Sequence, residues 1–503
     1  MTLPRYLQEI QHTIEGYARE CGLDFFEVIF ELLSYEAINM VAAYGGFPTR
    51  YPHWRFGMDY EQLSKSYGYG LSKIYEMVIN NDPCYAYLLE GNSLVDQKIV
   101  MAHVYAHCDF FKNNIWFRHT NRKMMNEMAN HATRIRRYMA RYGVDPVENF
   151  VDTCLSLENL IDLHAPLIRR EEERKPDSIQ EEPEDAAEVP KLPVARKYLE
   201  PYINPADFLE KQKQRIRKRK DGLQRDPPQP VRDVLKFLME HAPLSRWQRD
   251  IMGIVREEAY YFAPQGQTKI MNEGWASYWH SYICTHRALN SSEIIDFADH
   301  HSGTMGRQPG RINPYKLGIE LFRYIEDRWN RGCFGKEYEE CQDLERRAAW
   351  DKRLGLGRQK IFEVRRIHND VTFIDEFLDE DFALRQKLFG YRFNKSTGNW
   401  EIDTRDFKEI KKRLLFGLTN FGNPVVEVVD GNFANRGELL LVHRHQGVDL
   451  KLDWAQATME NLYRIWTRPV LVRTILSEKH TLLRYDGKNH TSETVSPSDG
   501  LLG

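Results

Sequence analysis

Apolar residues recur at helical spacing along most of the chain, and one stretch breaks that pattern in an informative way. In Val100-Met101-Ala102-His103-Val104-Tyr105-Ala106-His107-Cys108-Asp109-Phe110, residues Val100, His103, His107 and Phe110 fall on a single stripe. Two imidazoles stand where a core helix would carry leucines. The same periodicity predicts helices over 5–21, 24–43, 94–113, 119–142, near 146–164, 231–241, 245–263, from 267 past 280, 293–301 and 315–330. It also predicts one or two helices within 58–90 and several within 338–413. From 424 the period shortens towards two. The runs 424–429, 437–442, 469–476 and 481–485 read as strands, with a helix over 453–467 and a polar tail over 488–503. The fold class expected is mainly α: a large helical domain with a zincin-like buried polar site, plus a small C-terminal α+β module.

Three further helices place ionisable groups among apolar ones. Over 24–43, Phe25, Ile29, Leu32, Glu36 and Met40 share a stripe, which gives Glu36 a core position. Over 245–263, Glu258 lies within the stripe of Ile251, Ile254, Val255 and Phe262. In the segment from Gln267, residues Glu273, Ser277, His280 and Cys284 form one face, while Trp275, Tyr278, Trp279 and Tyr282 cover much of the rest. A helix with that many aromatics is buried, so its polar face must meet polar partners. An ionised carboxylate in a core costs several kcal/mol unless it is paired or holds a cation.

Histidines at i and i+4 reach one metal ion together, as in the zincin helix. The zincin glutamate is missing here, because Val104 occupies its place. Two arrangements fit the residues. In a gluzincin-like site, His103, His107 and Glu273 bind zinc or another divalent metal and leave a fourth position open. In a two-metal carboxylate site within a helical bundle, Glu36, Glu258 and Glu273 act with the histidines. A metal-dependent hydrolase of amide or peptide bonds would then take Glu258 or Glu36 as its base, and His280 as a further ligand or as an electrophile that steadies an oxyanion. Asp109 would orient a ligand imidazole or simply cap its own face. The competing reading is a non-catalytic scaffold or regulatory protein, with a structural polar cluster and protein partners bound by the aromatic loop 44–57 and the C-terminal module. That loop, with Tyr44, Phe47, Arg50, Tyr51, His53 and Trp54, either lines a cleft or packs over helix ends.

Composition narrows the alternatives. A 503-residue chain with 42% hydrophobic and 12% aromatic residues has ample material for a core. A net charge of −3 supplies no basic field for nucleic acid. The seven cysteines form no CxxC pair and suit a reducing compartment. No apolar run is long enough to span a membrane, and the N-terminal residues lack the pattern of a secretory signal, so the expected location is the cytoplasm. Residues 166–230 are charged and Pro-rich, acidic first and basic after, and read as a linker or insertion. The domain reading is therefore 1–165, a helical region with the HxxxH helix; 166–230, the insertion; 231–415, a second helical region completing the same core; and 416–503, the small module.

Several long segments also resemble one known family. Glu36-Ala37-Ile38-Asn39-Met40 running into Gly45-Gly46-Phe47-Pro48-Thr49-Arg50-Tyr51-Pro52-His53-Trp54 is one. Ala102-His103-Val104-Tyr105-Ala106-His107-Cys108-Asp109-Phe110-Phe111-Lys112-Asn113-Asn114 is another. Met271-Asn272-Glu273-Gly274-Trp275-Ala276-Ser277 and Asn313-Pro314-Tyr315-Lys316-Leu317-Gly318 complete the set. These are similar to the signature segments of the SpoVR (stage V sporulation protein R) family, and the likeness runs from about residue 5 to about 485. The resemblance implies a cytoplasmic bacterial protein linked to spore cortex formation, or to stress responses beside a kinase-like protein and a von Willebrand-type partner. It implies no agreed reaction, and the metal site is read from the residues alone.

Overall fold

The computed structural model describes residues 3–68, 75–168, 226–306 and 308–496, with positions 205 and 210. Most of the expected insertion, 166–230, lies outside the described residues. The protein is mainly helical with a C-terminal sheet, and its chain divides into two compact units: Met1–Glu148 with Tyr260–Asn423, and Asn149–Ala259 with Pro424–Gly503. Among the described residues no helix is long and apolar enough to cross a membrane.

In the first unit the histidine helix, Leu94–Asn113, is the central element. Ser93 and Asp96 form a capping box at its start, and nearly every residue from Val95 to Phe111 is buried. A helix apolar on all sides must be enclosed by other elements. Here those include a helix over Arg5–Glu20, the aromatic helix Lys269–Ile283 (the tryptophan helix) and the helix Pro314–Arg331, which share one hydrophobic core. Leu317, Leu321 and Ile325 point inward as their spacing predicts.

A three-stranded sheet, order β1-β3-β2, joins this core; Trp54–Gly68 is helical as expected, while the sheet replaces the first part of the helix expected over 24–43 and the later part of 58–90. Its strands are β1 (Val28–Leu33), β2 (Glu76–Ile79) and β3 (Cys84–Leu89), with β1 parallel and β2 antiparallel to β3. Cys84-Tyr85-Ala86-Tyr87-Leu88-Leu89 is a continuous apolar run, as a central strand needs, and periodicity alone does not separate such a run from a buried helix. Only Tyr35–Ala43 of the segment 24–43 is helical. Ser34 caps it, with the Ala37 N–H donating to its Oγ. Glu36 therefore lies exposed in the first turn, beside the Ser34 hydroxyl that donates to it at 3.0 Å, and not on a core stripe. The loop expected over 44–57 ends at His53, where the helix Trp54–Gly68 begins, and it packs inward: Phe47 and Tyr51 are buried, and the Arg50 guanidinium lies over the Tyr51 and Phe56 rings. A hairpin of β4 (Gly390–Asn394) and β5 (Asn399–Thr404) interrupts the helices expected over 338–413.

The second unit carries a five-stranded sheet, order β10-β9-β8-β7-β6, built from β6 (Val425–Phe433), β7 (Glu438–Arg444), β8 (Val470–Leu476), β9 (Lys479–Tyr485) and β10 (His490–Thr494). β7 and β8 run parallel across the helix Leu452–Trp466, and the other neighbours are antiparallel. β10 falls in the expected polar tail. It is an edge strand with mostly exposed side chains, so no apolar alternation marks it. Helices Val234–His241 and Arg246–Gln267 begin in this unit, and Glu258 is buried on the second, as its stripe predicts.

Candidate metal centre

His103 and His107 are almost fully buried on the histidine helix, at 5% and 6% exposure, with their rings edge to face and centroids 4.5 Å apart. Both Nε2 atoms lie 3.6 Å from the same atom, Glu273 Oε2 on the tryptophan helix. The ligand atoms of the three residues all fall within 4.8 Å of one another. Glu273 Oε2 is itself buried and accepts no hydrogen bond. The expected convergence of His103, His107 and Glu273 is thus present, and it ends on a carboxylate oxygen that both imidazoles approach without a close hydrogen bond.

The backbone explains how the two helices are held. The tryptophan helix crosses Pro314–Arg331 at Gly274 and Gly318, where a Cβ on either glycine would fall on the backbone of the other helix. At the start of the tryptophan helix, Asp370 accepts the Ile270 and Met271 N–H groups at 2.8 and 2.9 Å, satisfying two donors of its first turn. Lys98 pairs with Glu293 at 2.8 Å and His300 with Asp96 at 2.9 Å, tying the helix Ile294–Thr304 and the turn before it to the histidine helix.

The outer nitrogens of the two histidines are also engaged. His107 Nδ1 lies 2.9 Å from Asn272 Oδ1, and His103 Nδ1 lies 2.9 Å from His280 Nδ1. His280 Nε2 in turn lies 3.4 Å from His301 Nδ1. His280 thus faces the cluster from behind His103. Asp109 has neither of its expected roles. Its carboxylate accepts the Asp24 N–H and the Trp275 indole N–H, each at 2.8 Å, with Arg365 at 3.5 Å.

Burial, then the neighbouring His103, holds His107 down to about 4. His280 is pushed well below the usual imidazole range, chiefly by burial and next by His103. Burial acts to raise the Glu273 carboxyl, but His103, His107 and Lys269 outweigh it and keep it below its ordinary value. Two imidazoles beside a carboxylate form a donor set suited to a divalent cation.

Three groups of the site carried no chemical assignment in the sequence reading. Glu76 on β2 interacts electrostatically with both His103 and Glu273; burial raises its carboxyl and Glu273 adds to the rise. Its strand lies in a segment whose period predicts helix, and that period assigns Glu76 no face. The Tyr315 ring stacks on His103 with centroids 6.2 Å apart, and burial, then the Glu273 carboxylate, raises its phenol. Asn272 fixes His107. Tyr315 and Asn272 both sit in segments already marked as family signatures, which was the available signal. Glu36 is at the surface, and Glu258 belongs to the second unit, where it is buried and partnered.

Fold and site together define a mainly helical protein with a buried imidazole–carboxylate cluster contributed by two helices far apart in sequence. The SpoVR family model, described as SpoVR like protein, matches residues 2–423, and the chain belongs to that family. It is similar to Uncharacterized protein YcgB of Escherichia coli (strain K12), with 29% identity over 496 residues, 93% of this chain and 90% of the relative. No solved structure matches it.

Proposed function

We propose that His103, His107 and Glu273 bind one divalent metal ion, zinc being the first candidate, and that the protein is a metal-dependent hydrolase acting on an amide or peptide bond. The observation that carries the metal reading is the convergence of two buried imidazole Nε2 atoms on the buried Glu273 Oε2, each at 3.6 Å, too far for a good hydrogen bond and close enough to share one ion. A purely structural polar network satisfies its members, since an orphaned buried acceptor costs about 1–3 kcal/mol. The donor set is the gluzincin set of two histidines and a glutamate. A divalent ion held there supplies Lewis acidity towards a carbonyl oxygen.

The chain's own residues supply the rest of the scheme. Val104 leaves the zincin base position empty, and we assign the proton-accepting role to Glu76 in preference to Glu36 or Glu258. Glu76 feels the charges of His103 and Glu273, so it is the acidic group of β2 that interacts with the cluster. We assign Tyr315, stacked on His103, the role of donor to a developing oxyanion. The family name links the chain to sporulation, and we take a role in spore cortex formation as the physiological setting.

Elemental analysis of the purified full chain tests this reading. One equivalent of metal, lost in His103→Ala/His107→Ala, supports it. A stable wild type that takes up no added zinc overturns it in favour of the scaffold.

A further inference from the structure

We propose that His280 and His301 are positioning residues of the metal site, forming a histidine relay that sets the tautomer of His103. This inference rests on the metal-binding reading above.

The two ligand histidines are not held alike. His107 Nδ1 faces an amide oxygen, which only accepts, so its proton is fixed on Nδ1 and its Nε2 lone pair is always available. His103 Nδ1 faces another ring nitrogen, His280 Nδ1, and either can be the donor. What decides between them is the far side of His280, where Nε2 meets His301 Nδ1. His280 is 4% exposed, whereas His301 is only half-buried, so the relay runs from the cluster towards solvent.

Two arrangements satisfy this chain. In the first, His103 donates from Nδ1 to His280 Nδ1, His280 donates from Nε2 to His301 Nδ1, and His103 Nε2 is a bare lone pair. In the second, His301 donates from Nδ1, His280 donates from Nδ1, and His103 keeps its proton on Nε2, facing Glu273. All three rings are neutral in both. Passing from the second to the first releases the proton on His103 Nε2. The Nδ1 proton of His280 moves to His103 Nδ1, that of His301 moves to His280 Nε2, and His301 Nε2 takes one from water. One proton leaves His103 Nε2 for water and one enters from water at His301 Nε2, so the three rings undergo no net change in charge. The first arrangement alone presents both Nε2 atoms to an ion.

The test is zinc affinity, measured by competition with a chelating dye, on the full chain and three variants. His280→Leu removes the relay while keeping bulk, and zinc binding weakens 10–100-fold, the usual effect of losing a partner of a ligand histidine. His280→Gln offers an amide oxygen to His103 Nδ1 and restores most of the affinity. His301→Ala, at the half-exposed end and least able to perturb folding, weakens binding by a smaller factor. The thermal midpoint without zinc falls less than the zinc-induced rise in it, which a merely structural role would not produce. If the wild type binds zinc and both His280→Leu and His301→Ala bind it equally well, the relay is overturned while the metal reading stands. If the wild type binds none, both fall.

Discussion

The carboxylate of Asp109 accepts the indole N–H of Trp275 at 2.8 Å, and both side chains are completely buried. This bond joins the histidine helix to the tryptophan helix, two residues beyond His107 on one and Glu273 on the other. Arg365 Nε stands 3.5 Å from the same carboxylate oxygen. Trp275→Phe keeps the ring but removes the donor, leaving a buried acceptor without its closest partner. We expect a loss of about 1–3 kcal/mol in urea unfolding, with Trp275→Phe also loosening zinc binding. An unchanged denaturation midpoint would show the bond to be idle.

Metal removal is the second prediction. An ion that binds only the folded chain stabilises it by about 2.7 kcal/mol at a hundredfold excess over Kd. Dialysis against a chelator should lower the thermal midpoint, and readdition of zinc should restore it. In Glu273→Gln the restoration should be largely lost, because a neutral amide is a far poorer ligand. Equal zinc-dependent shifts in wild type and Glu273→Gln would remove Glu273 from the ligand set.

The third concerns the helix crossing. At Gly274 there is no room for a methyl group, because the backbone of Gly318 occupies the place. Gly274→Ala must push the helices apart, at a cost of about 1–3 kcal/mol or more. The displacement would also carry Glu273 away from the two imidazoles. We therefore expect zinc affinity to fall together with stability, whereas Gly16→Ala, on an open helix face, should leave zinc affinity unchanged and raise stability by about 0.5–1 kcal/mol.

How far the chain disclosed this arrangement depends on the kind of signal. His103, His107 and Glu273 were legible because polar groups on buried helix faces need one another. Leu317, Leu321 and Ile325 were legible for the same reason of period. Glu36 was misplaced because Val28-Ile29-Phe30-Glu31-Leu32-Leu33 fits helix and strand equally, and pairing of β1 with β3 decided in favour of the strand. Glu76 was invisible because β2 spans only four residues, too few for a period to emerge. The role of His280 depends on which nitrogen meets which, and no spacing rule contains that.

A fourth prediction lies in the second unit. His443, 3% exposed, donates to or accepts from Thr474 Oγ1 at 2.9 Å. Burial, then His445, pushes it down to about 4, against the pull of Asp449. Unfolded, it would take up a proton near 6.5. Between those values the unfolded chain binds more protons, so stability is lost as pH falls from about 6.5 to 4 and is fully present above that window. His443→Gln keeps a partner for Thr474 and should flatten this part of the stability–pH curve by roughly 1–3 kcal/mol. Parallel curves for the two proteins would show that another group is responsible.

Asp370 has a consequence for any attempt to shorten the chain. A fragment stopping short of it would keep both imidazoles, the carboxylate and the relay, and on paper would own a complete centre. Yet the first turn of the helix presenting Glu273 would lose the anchor for two of its amides. Possession of the donor atoms and the ability to hold them in register are thus encoded a hundred residues apart, and only a chain extending through both should compete for an ion.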